Sequence, residues 1–348
     1  DAVSAAERLV SVDKVDFVVG GHRSEAAMAV QELLAEKKVV FICVQAALTD
    51  LVKRVAADYD QFKYFFRTQT NGPEMFTVIF NWIEMIGDQI KKDTGVEKLK
   101  VAILAEKAAW TEGMVKGAPS FLEKIGMETV GVWRPSPTAT DVSAELAAIK
   151  AAGAHIIFQT FSGPVGHVVA RQWGQAKIPA ALVGVNTEGG TLRHWQATDQ
   201  ACEYQVVHGY SGPANISDKT LPLYAKFKER HEEYPAVTAY SYDAVYVLMD
   251  AAQRAGSLDR DKMVEALEKT DYMGAMGRIT FQPKGHKWAH DLVWGADAYA
   301  MPASEWLNGE LKVVWPDGVH GEKYKGMRYD GTVDYVNPPW LIEYWKKK

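Results

Sequence analysis

The chain is poor in cysteine, with only Cys43 and Cys202 among its 348 residues. Two cysteines cannot build a disulfide framework or a four-ligand zinc site. Cys43 stands in a strand-like apolar run, where a thiol behaves as a small buried apolar side chain. We therefore expect free thiols and no metal site.

The sequence also lacks a long hydrophobic run and an excess of basic residues. Its longest apolar stretch, residues 39–52, is interrupted by Gln45, Thr49 and Asp50 and is too short to span a bilayer. The net charge is −5 and the isoelectric point is about 6.0, whereas a nucleic-acid-binding domain presents a basic face. We expect neither membrane insertion nor a nucleic-acid partner.

Motifs for nucleotide binding and for common forms of catalysis are missing. There is no phosphate-binding P-loop, no G-x-S-x-G turn and no H-E-x-x-H sequence. His286 and His290 are four residues apart, but Pro283 and Gly285 argue against the helix that a metal pair would need. We expect no cofactor and no enzyme activity, and a Rossmann-like enzyme is the least favoured alternative.

Short apolar runs alternate with segments of helical periodicity through most of the chain. This alternation predicts parallel sheets with helices on both faces. The length and the number of strands predict two doubly wound α/β lobes joined by a hinge. Residues 286–348 hold six of the 11 tryptophans, and we expect them to form an aromatic, loop-rich C-terminal tail that caps one lobe.

Polar and aromatic residues follow several predicted strands, where ligands bind in open α/β sheets. Gly20 and Gly21 lead through Arg23 to Ser24 at the start of a helix, a pattern that favours an anion site. Arg23 could add a charge-assisted contact to a carboxylate. The alternative is that Ser24 only caps its helix and Arg23 faces solvent. Similar loops follow at residues 45–47, 107–113, 161–164 and 185–190, and Trp110 in one of them is either a core residue or a stacking surface.

A series of motifs extends over most of residues 1 to 300. It consists of the strand and glycine loop at 16–21, the strand at 39–42, Phe66-Arg67-Thr68, Trp110-Thr111-Glu112-Gly113 after the strand at 100–104, the A-Y-x-Y-D-A pattern at 239–244, and the glycine-bounded hairpin at 277–285. The order and spacing of these motifs resemble those of the type I periplasmic binding proteins, in particular the Leu/Ile/Val-binding family.

The resemblance implies two lobes that close around a ligand. We expect one lobe from residues 1–97 and 223–278, and the other from residues 98–222 and 279–348. The family's first strand–helix–strand unit has no counterpart after Asp1, and we expect it to precede this sequence. The implied function is solute binding for an ABC importer with a permease as partner, in the periplasm or tethered outside the cell. A ligand sensor on the same fold is the alternative.

The resemblance also implies ligand-binding positions. They fall on Ser24, Gln45 and Ala47 in one lobe, and on Trp110, Phe161 or Ser162, Asn186 and Glu188 in the other. Ala47 stands where the family has a hydroxyl side chain, and Asn186 stands where it has an acid that pairs with the ligand ammonium. We therefore expect either an amino acid, branched-chain or other, with Glu188 replacing that acid, or a carboxylate, amide or aromatic acid.

Overall fold

The computed structural model describes residues 1–69, 71–208 and 212–347. The chain forms two compact units and passes between them three times. Unit 1 contains Asp1–Met75 and Val237–Ala300, and unit 2 contains Phe76–Ala236 and Met301–Lys348.

Helices and strands alternate along most of the chain, which confirms the predicted α/β class. The helices are α1 Ala2–Ser11, α2 Ser24–Glu36, α3 Asp50–Ala57, α4 Tyr59–Phe62, α5 Gly72–Thr94, α6 Ala109–Lys124, α7 Ser143–Ala151, α8 Val165–Gln175, α9 Leu192–Ala197, α10 Thr220–His231, α11 Thr238–Ala255, α12 Arg260–Glu268 and α13 Pro339–Lys346. The strands are β1 Phe17–Gly20, β2 Val40–Cys43, β3 Phe65–Arg67, β4 Lys100–Ala105, β5 Glu128–Trp133, β6 Ile156–Phe161, β7 Ala181–Asn186, β8 Val206–His208, β9 Asp271–Gly274, β10 Gly277–Thr280, β11 Ala303–Leu307 and β12 Glu310–Trp315.

Unit 1 has a three-stranded parallel sheet in the order β1-β2-β3, and a separate antiparallel hairpin of β9 and β10. Every residue of the central strand β2 is buried, as its continuous apolar sequence predicts for a parallel strand covered on both faces. Leu34, Phe41 and Val52 are among the buried side chains that form the hydrophobic core of unit 1. Because the three strands are parallel, their carboxyl ends and the loops that follow meet at one edge.

Unit 2 is built on a seven-stranded sheet in the order β12-β11-β8-β7-β6-β4-β5. The strands from β5 to β8 are parallel, whereas β11 is antiparallel to both of its neighbours. Strands β6 and β7 are buried along their whole length. Their register pairs Phe161 with Asn186, so the loops after these two strands begin side by side.

The C-terminal region differs from the predicted loop-rich cap. Strands β11 and β12 extend the sheet of unit 2, and the indole of Trp306 is fully buried in its core. Strand pairing explains the missing helical periodicity of this region. Two of its six tryptophans, Trp288 and Trp294, belong to unit 1.

The chain also crosses between the two units at positions that differ from the expected lobe boundaries. Residues 76–97 lie in unit 2 because α5 packs there, with its Trp82 ring 6.2 Å from that of Trp315. Residues 279–300 lie in unit 1, where Asp291 pairs with Arg67.

Both cysteines are free thiols and are buried. Burial raises the pKa of Cys43, and it raises the pKa of Cys202 to about 12. Among the helices in the described ranges, none combines the length and the apolar character needed to cross a bilayer.

Candidate functional site

The first loop of unit 1 joins β1 to α2 through a turn that requires glycine. Gly21 has a φ of +87°, which side-chain-bearing residues rarely adopt. A Cβ at this position would also lie 3.2 Å from both Cys43 Sγ and Phe41 Cζ. The turn brings the start of α2 to the carboxyl end of β1.

Ser24 is the first residue of α2 and does not cap it. The N-cap position belongs to Arg23, which is extended and makes no side-chain cap hydrogen bond. The first backbone bond of the helix runs from Ala27 N to Arg23 O, so the amides of residues 24–26 have no helical acceptor. Together with the buried Ser24 side chain, these amides give this end of the helix the character of an anion site. The Arg23 side chain is exposed.

The second loop, at residues 45–48, is held in place by Arg67. The guanidinium Nη1 donates to the carbonyl oxygens of Ala46 and Leu48 at 3.0 and 2.9 Å. Gln45 is half-buried, and its Nε2 donates to Val237 O at 3.4 Å. Ala47 is also half-buried and has no polar side-chain atom to offer a ligand.

A third loop of unit 1, after β3, contributes polar groups that were not assigned to the site from the sequence. Thr68 and Gln69 are buried, and neither Thr68 Oγ1 nor Gln69 Oε1 has a hydrogen-bond partner in the described part of the chain. Gln69 Nε2 donates to Gln45 O at 3.3 Å. Their position directly after a parallel strand was the signal available in the sequence.

In unit 2, a carboxyl group that the sequence analysis missed joins two of the predicted site residues. Trp110 lies in the first turn of α6, which begins at Ala109, rather than before the helix. Its Nε1 donates to Glu106 Oε1 at 2.9 Å, and Ser162 Oγ donates to the same oxygen. Strand β4 runs one residue further than predicted, which makes Glu106 the first residue after it.

The two other predicted positions at this edge are deeply buried. The Phe161 ring is a fully buried member of the unit 2 core, so its partner position Ser162 is the half-buried one. Asn186 Nδ2 donates to Gly166 O at 3.2 Å, while Asn186 Oδ1 is buried and has no partner in the described ranges. Asn186 Oδ1 is therefore free to accept a hydrogen bond.

Glu188 lies beside the last of a series of hydrogen-bonded polar side chains in unit 2. Gln205 Nε2 donates to Gln159 Oε1 at 3.1 Å, so Gln205 Oε1 accepts from His194 Nε2 at 2.8 Å. His194 Nδ1 then accepts from His167 Nδ1 at 2.7 Å. His167 Nε2, left as an acceptor, is 3.8 Å from Glu188 Oε2.

Burial dominates the electrostatics of the two histidines. It lowers the pKa of His194 to about 3. Burial also lowers the pKa of His167, an effect that the nearby Glu188 carboxylate opposes. Both imidazoles are therefore neutral at pH 7. Across residues 1–69, 71–208 and 212–347, no group of three or more histidine, cysteine or acidic side chains is placed to hold a metal ion.

Comparisons with known proteins agree on one family. A family model described as periplasmic binding protein matches residues 1–295. The Leu/Ile/Val-binding protein homolog 3 of Brucella melitensis biotype 1 is 26% identical over 294 residues, which cover 81% of this chain and 73% of that protein.

Two solved structures share the fold. The solute-binding protein of an R. palustris ABC transporter, in complex with benzoate, superposes with a TM-score of 0.73 at 16% identity, covering 90% of this chain and 80% of that one. The leucine-binding protein LivK of Thermotoga maritima gives a TM-score of 0.71 at 21% identity and covers 91% and 85%. The chain belongs to the periplasmic binding proteins, as a type I member of the Leu/Ile/Val-binding family.

Proposed function

We propose that this protein is the extracytoplasmic solute-binding protein of an ABC importer and that it binds a small carboxylate, amino acids included, without catalysis. The observation that carries the proposal is the start of α2, where three amides without helical acceptors accompany the buried Ser24. A ligand carboxylate satisfies such amides and interacts favourably with the helix dipole.

The ligand class is supported from two directions. The solved relatives include a leucine-binding protein and a protein in complex with benzoate, and both of these ligands carry a carboxylate. Ala47 has no hydroxyl group and Asn186 has no charge, so neither side chain provides the usual partner for a ligand ammonium group. An aromatic or aliphatic acid without an amino group is therefore the alternative to an amino acid.

A thermal-shift screen of the purified protein tests the proposal with leucine, isoleucine, benzoate and the matching amides. A ligand at 100 times its Kd stabilises a protein by about 2.7 kcal/mol. We expect a carboxylate ligand to raise the melting temperature. We expect Ser24→Ala to lower the affinity at least tenfold, whereas the exposed Ser11→Ala in the same unit leaves it unchanged. A shift produced by a nucleotide and by no carboxylate would contradict the proposal.

The proposed partner is an ABC permease, with the protein acting in the periplasm or tethered outside the cell. Transport of the radiolabelled ligand into proteoliposomes that contain the permease and its ATPase tests this assignment. We expect uptake to require the binding protein. A ligand-dependent change in a signalling kinase, with no uptake, would instead indicate a sensor on the same fold.

A further inference from the structure

Glu106 is a carboxyl group that the expected ligand positions do not include. It is fully buried at the carboxyl end of β4. Its Oε1 accepts from Trp110 Nε1 and from Ser162 Oγ. Both donors belong to half-buried residues, so the carboxyl group lies one hydrogen bond below the surface of unit 2.

The second oxygen of this group is unsatisfied. Glu106 Oε2 is buried and has no hydrogen-bond partner in the part of the chain that the structure describes. A buried acceptor without a donor costs free energy, and the cost is larger for a charged group. Such an oxygen at the end of a parallel strand is placed to accept from a bound molecule.

The two side chains that contact Glu106 have already used their donors. The Trp110 indole N–H and the Ser162 hydroxyl proton both point to Glu106, and the Asn186 amide donates to Gly166 O. Asn186 Oδ1 has no partner in the described residues, so it is a second free acceptor. The unsatisfied oxygens of Glu106 and Asn186 at this edge of unit 2 match a donor-bearing ligand.

We propose that Glu106 is a specificity-determining residue whose Oε2 accepts a hydrogen bond from a donor on the ligand, an ammonium or a hydroxyl group. The inference rests on the proposed function and deepens it, since it names the group that the carboxylate ligand must also carry. Trp110 and Ser162 are positioning residues in this arrangement because they fix the carboxyl group through Oε1.

The variant Glu106→Gln removes the proposed acceptor for the ligand at Oε2 and keeps the contacts of Oε1 with Trp110 and Ser162. Glutamine keeps an oxygen that accepts from Trp110 and Ser162 and replaces Oε2 by an N–H donor of nearly the same size. The matched control is Glu305→Gln, which makes the same change at another fully buried carboxyl group of unit 2. Glu305 is on β11, where it pairs with Val206 of β8, and three strands separate β11 from β4 in the sheet.

Calorimetric titration with two ligand pairs provides the test. Leucine and 4-methylpentanoate differ by the ammonium group, and 4-hydroxybenzoate and benzoate differ by the hydroxyl group. We expect the wild-type protein to bind the donor-bearing member of one pair at least tenfold more tightly, and the pair that shows this identifies the donor. Glu106→Gln should reduce that preference at least tenfold, and Glu305→Gln should keep it.

Two outcomes overturn the inference. One is a wild-type protein that prefers the ligands without a donor, and the other is a Glu106→Gln variant with unchanged preference. If Glu106→Gln does not fold, Glu106→Asp replaces it, because aspartate keeps the charge and withdraws the oxygen by one methylene. Failure of the wild-type protein to bind all four compounds would count against the proposed function itself.

Discussion

Arg67 and Asp291 form a fully buried bidentate ion pair, with N···O distances of 2.7 and 2.9 Å. Asn71 Nδ2 donates to the same carboxylate at 2.6 Å. The remaining guanidinium nitrogen holds the carbonyls of Ala46 and Leu48. The pair therefore connects the core of unit 1 to a loop that carries two of the predicted ligand positions.

Loss of one partner of this pair is expected to be severe. Arg67→Met leaves Asp291 buried without its counter-charge, and removal of one partner of a buried pair costs about 3–5 kcal/mol. Urea denaturation followed by circular dichroism measures the change. The double variant with Asp291→Asn should recover the part of the loss that comes from the unpaired charge, but not the part that comes from the lost hydrogen bonds to Ala46 O and Leu48 O.

The control is Arg278→Met, which breaks an exposed pair with Asp271 in the same unit. Exposed pairs contribute little to stability. Equal destabilisation by Arg67→Met and Arg278→Met would contradict the role assigned to burial.

Acid should weaken unit 2 through its buried neutral histidines. Burial lowers the pKa of His194 and of His208 to about 3, while an unfolded chain has histidines near pH 6.5. The unfolded state therefore binds more protons between pH 6.5 and pH 3, and stability falls as the pH decreases through this window. Each histidine should lower the free energy of unfolding by about 2 kcal/mol as the pH decreases from 6.5 to 5.

Denaturation of His194→Asn at a series of pH values isolates this effect. The variant should show a shallower loss of stability toward acid than the wild-type protein. The exposed His231→Asn should follow the wild-type curve. Parallel curves for wild type and His194→Asn would refute the prediction.

Gly166 is expected to tolerate no side chain while Asn186 is present. A Cβ at Gly166 would collide with Asn186 Oδ1 and lie 2.8 Å from its Cγ. Gly166→Ala should destabilise the protein by about 1–3 kcal/mol, the usual cost of overpacking a core. Thermal denaturation of the double variant Gly166→Ala, Asn186→Ala should show a penalty smaller than the sum of the two single changes, and additive penalties would exclude the steric explanation.

Glu305 should make the protein less stable as the pH rises. Burial raises its pKa well above the usual value, although the Val336 N–H that donates to it acts in the opposite direction. The folded state therefore holds a proton that the unfolded state releases above about pH 4.5, and stability decreases with increasing pH until the folded pKa is passed. Glu305→Gln should remove this decrease, with an advantage over wild type that grows from pH 4.5 upward. An advantage that is the same at every pH would rule out titration as its cause.

The sequence predicted the α/β alternation well because buried parallel strands are rich in apolar residues, as in β2 and in the first five residues of β7. It failed for β11 and β12, because β11 joins the sheet by antiparallel pairing with β8, about 100 positions earlier in the chain, and β12 pairs with β11. The unit boundaries could not be predicted from the sequence either, because the first of them falls inside one continuous helix, α5.

The candidate site was predicted as a set of loops rather than as a set of contacts. Ser24, Gln45 and Trp110 lie at strand ends as expected, because the edge follows from strand direction alone. Glu106 was missed because the predicted strand stopped one residue short. His167 and His194 were missed because their pairing crosses two helices, and no periodicity in the sequence reports such a contact.

The Arg67–Asp291 pair also constrains the order of events during synthesis. The two residues are 224 positions apart, with most of unit 2 encoded between them. At a translation rate of ~5–20 residues per second, Arg67 emerges about 10–45 seconds before its partner. Over that interval a nascent unit 1 carries a guanidinium without its counter-charge, and burying it unpaired is costly. We therefore expect the core of this unit to close only after the chain has grown past Asp291.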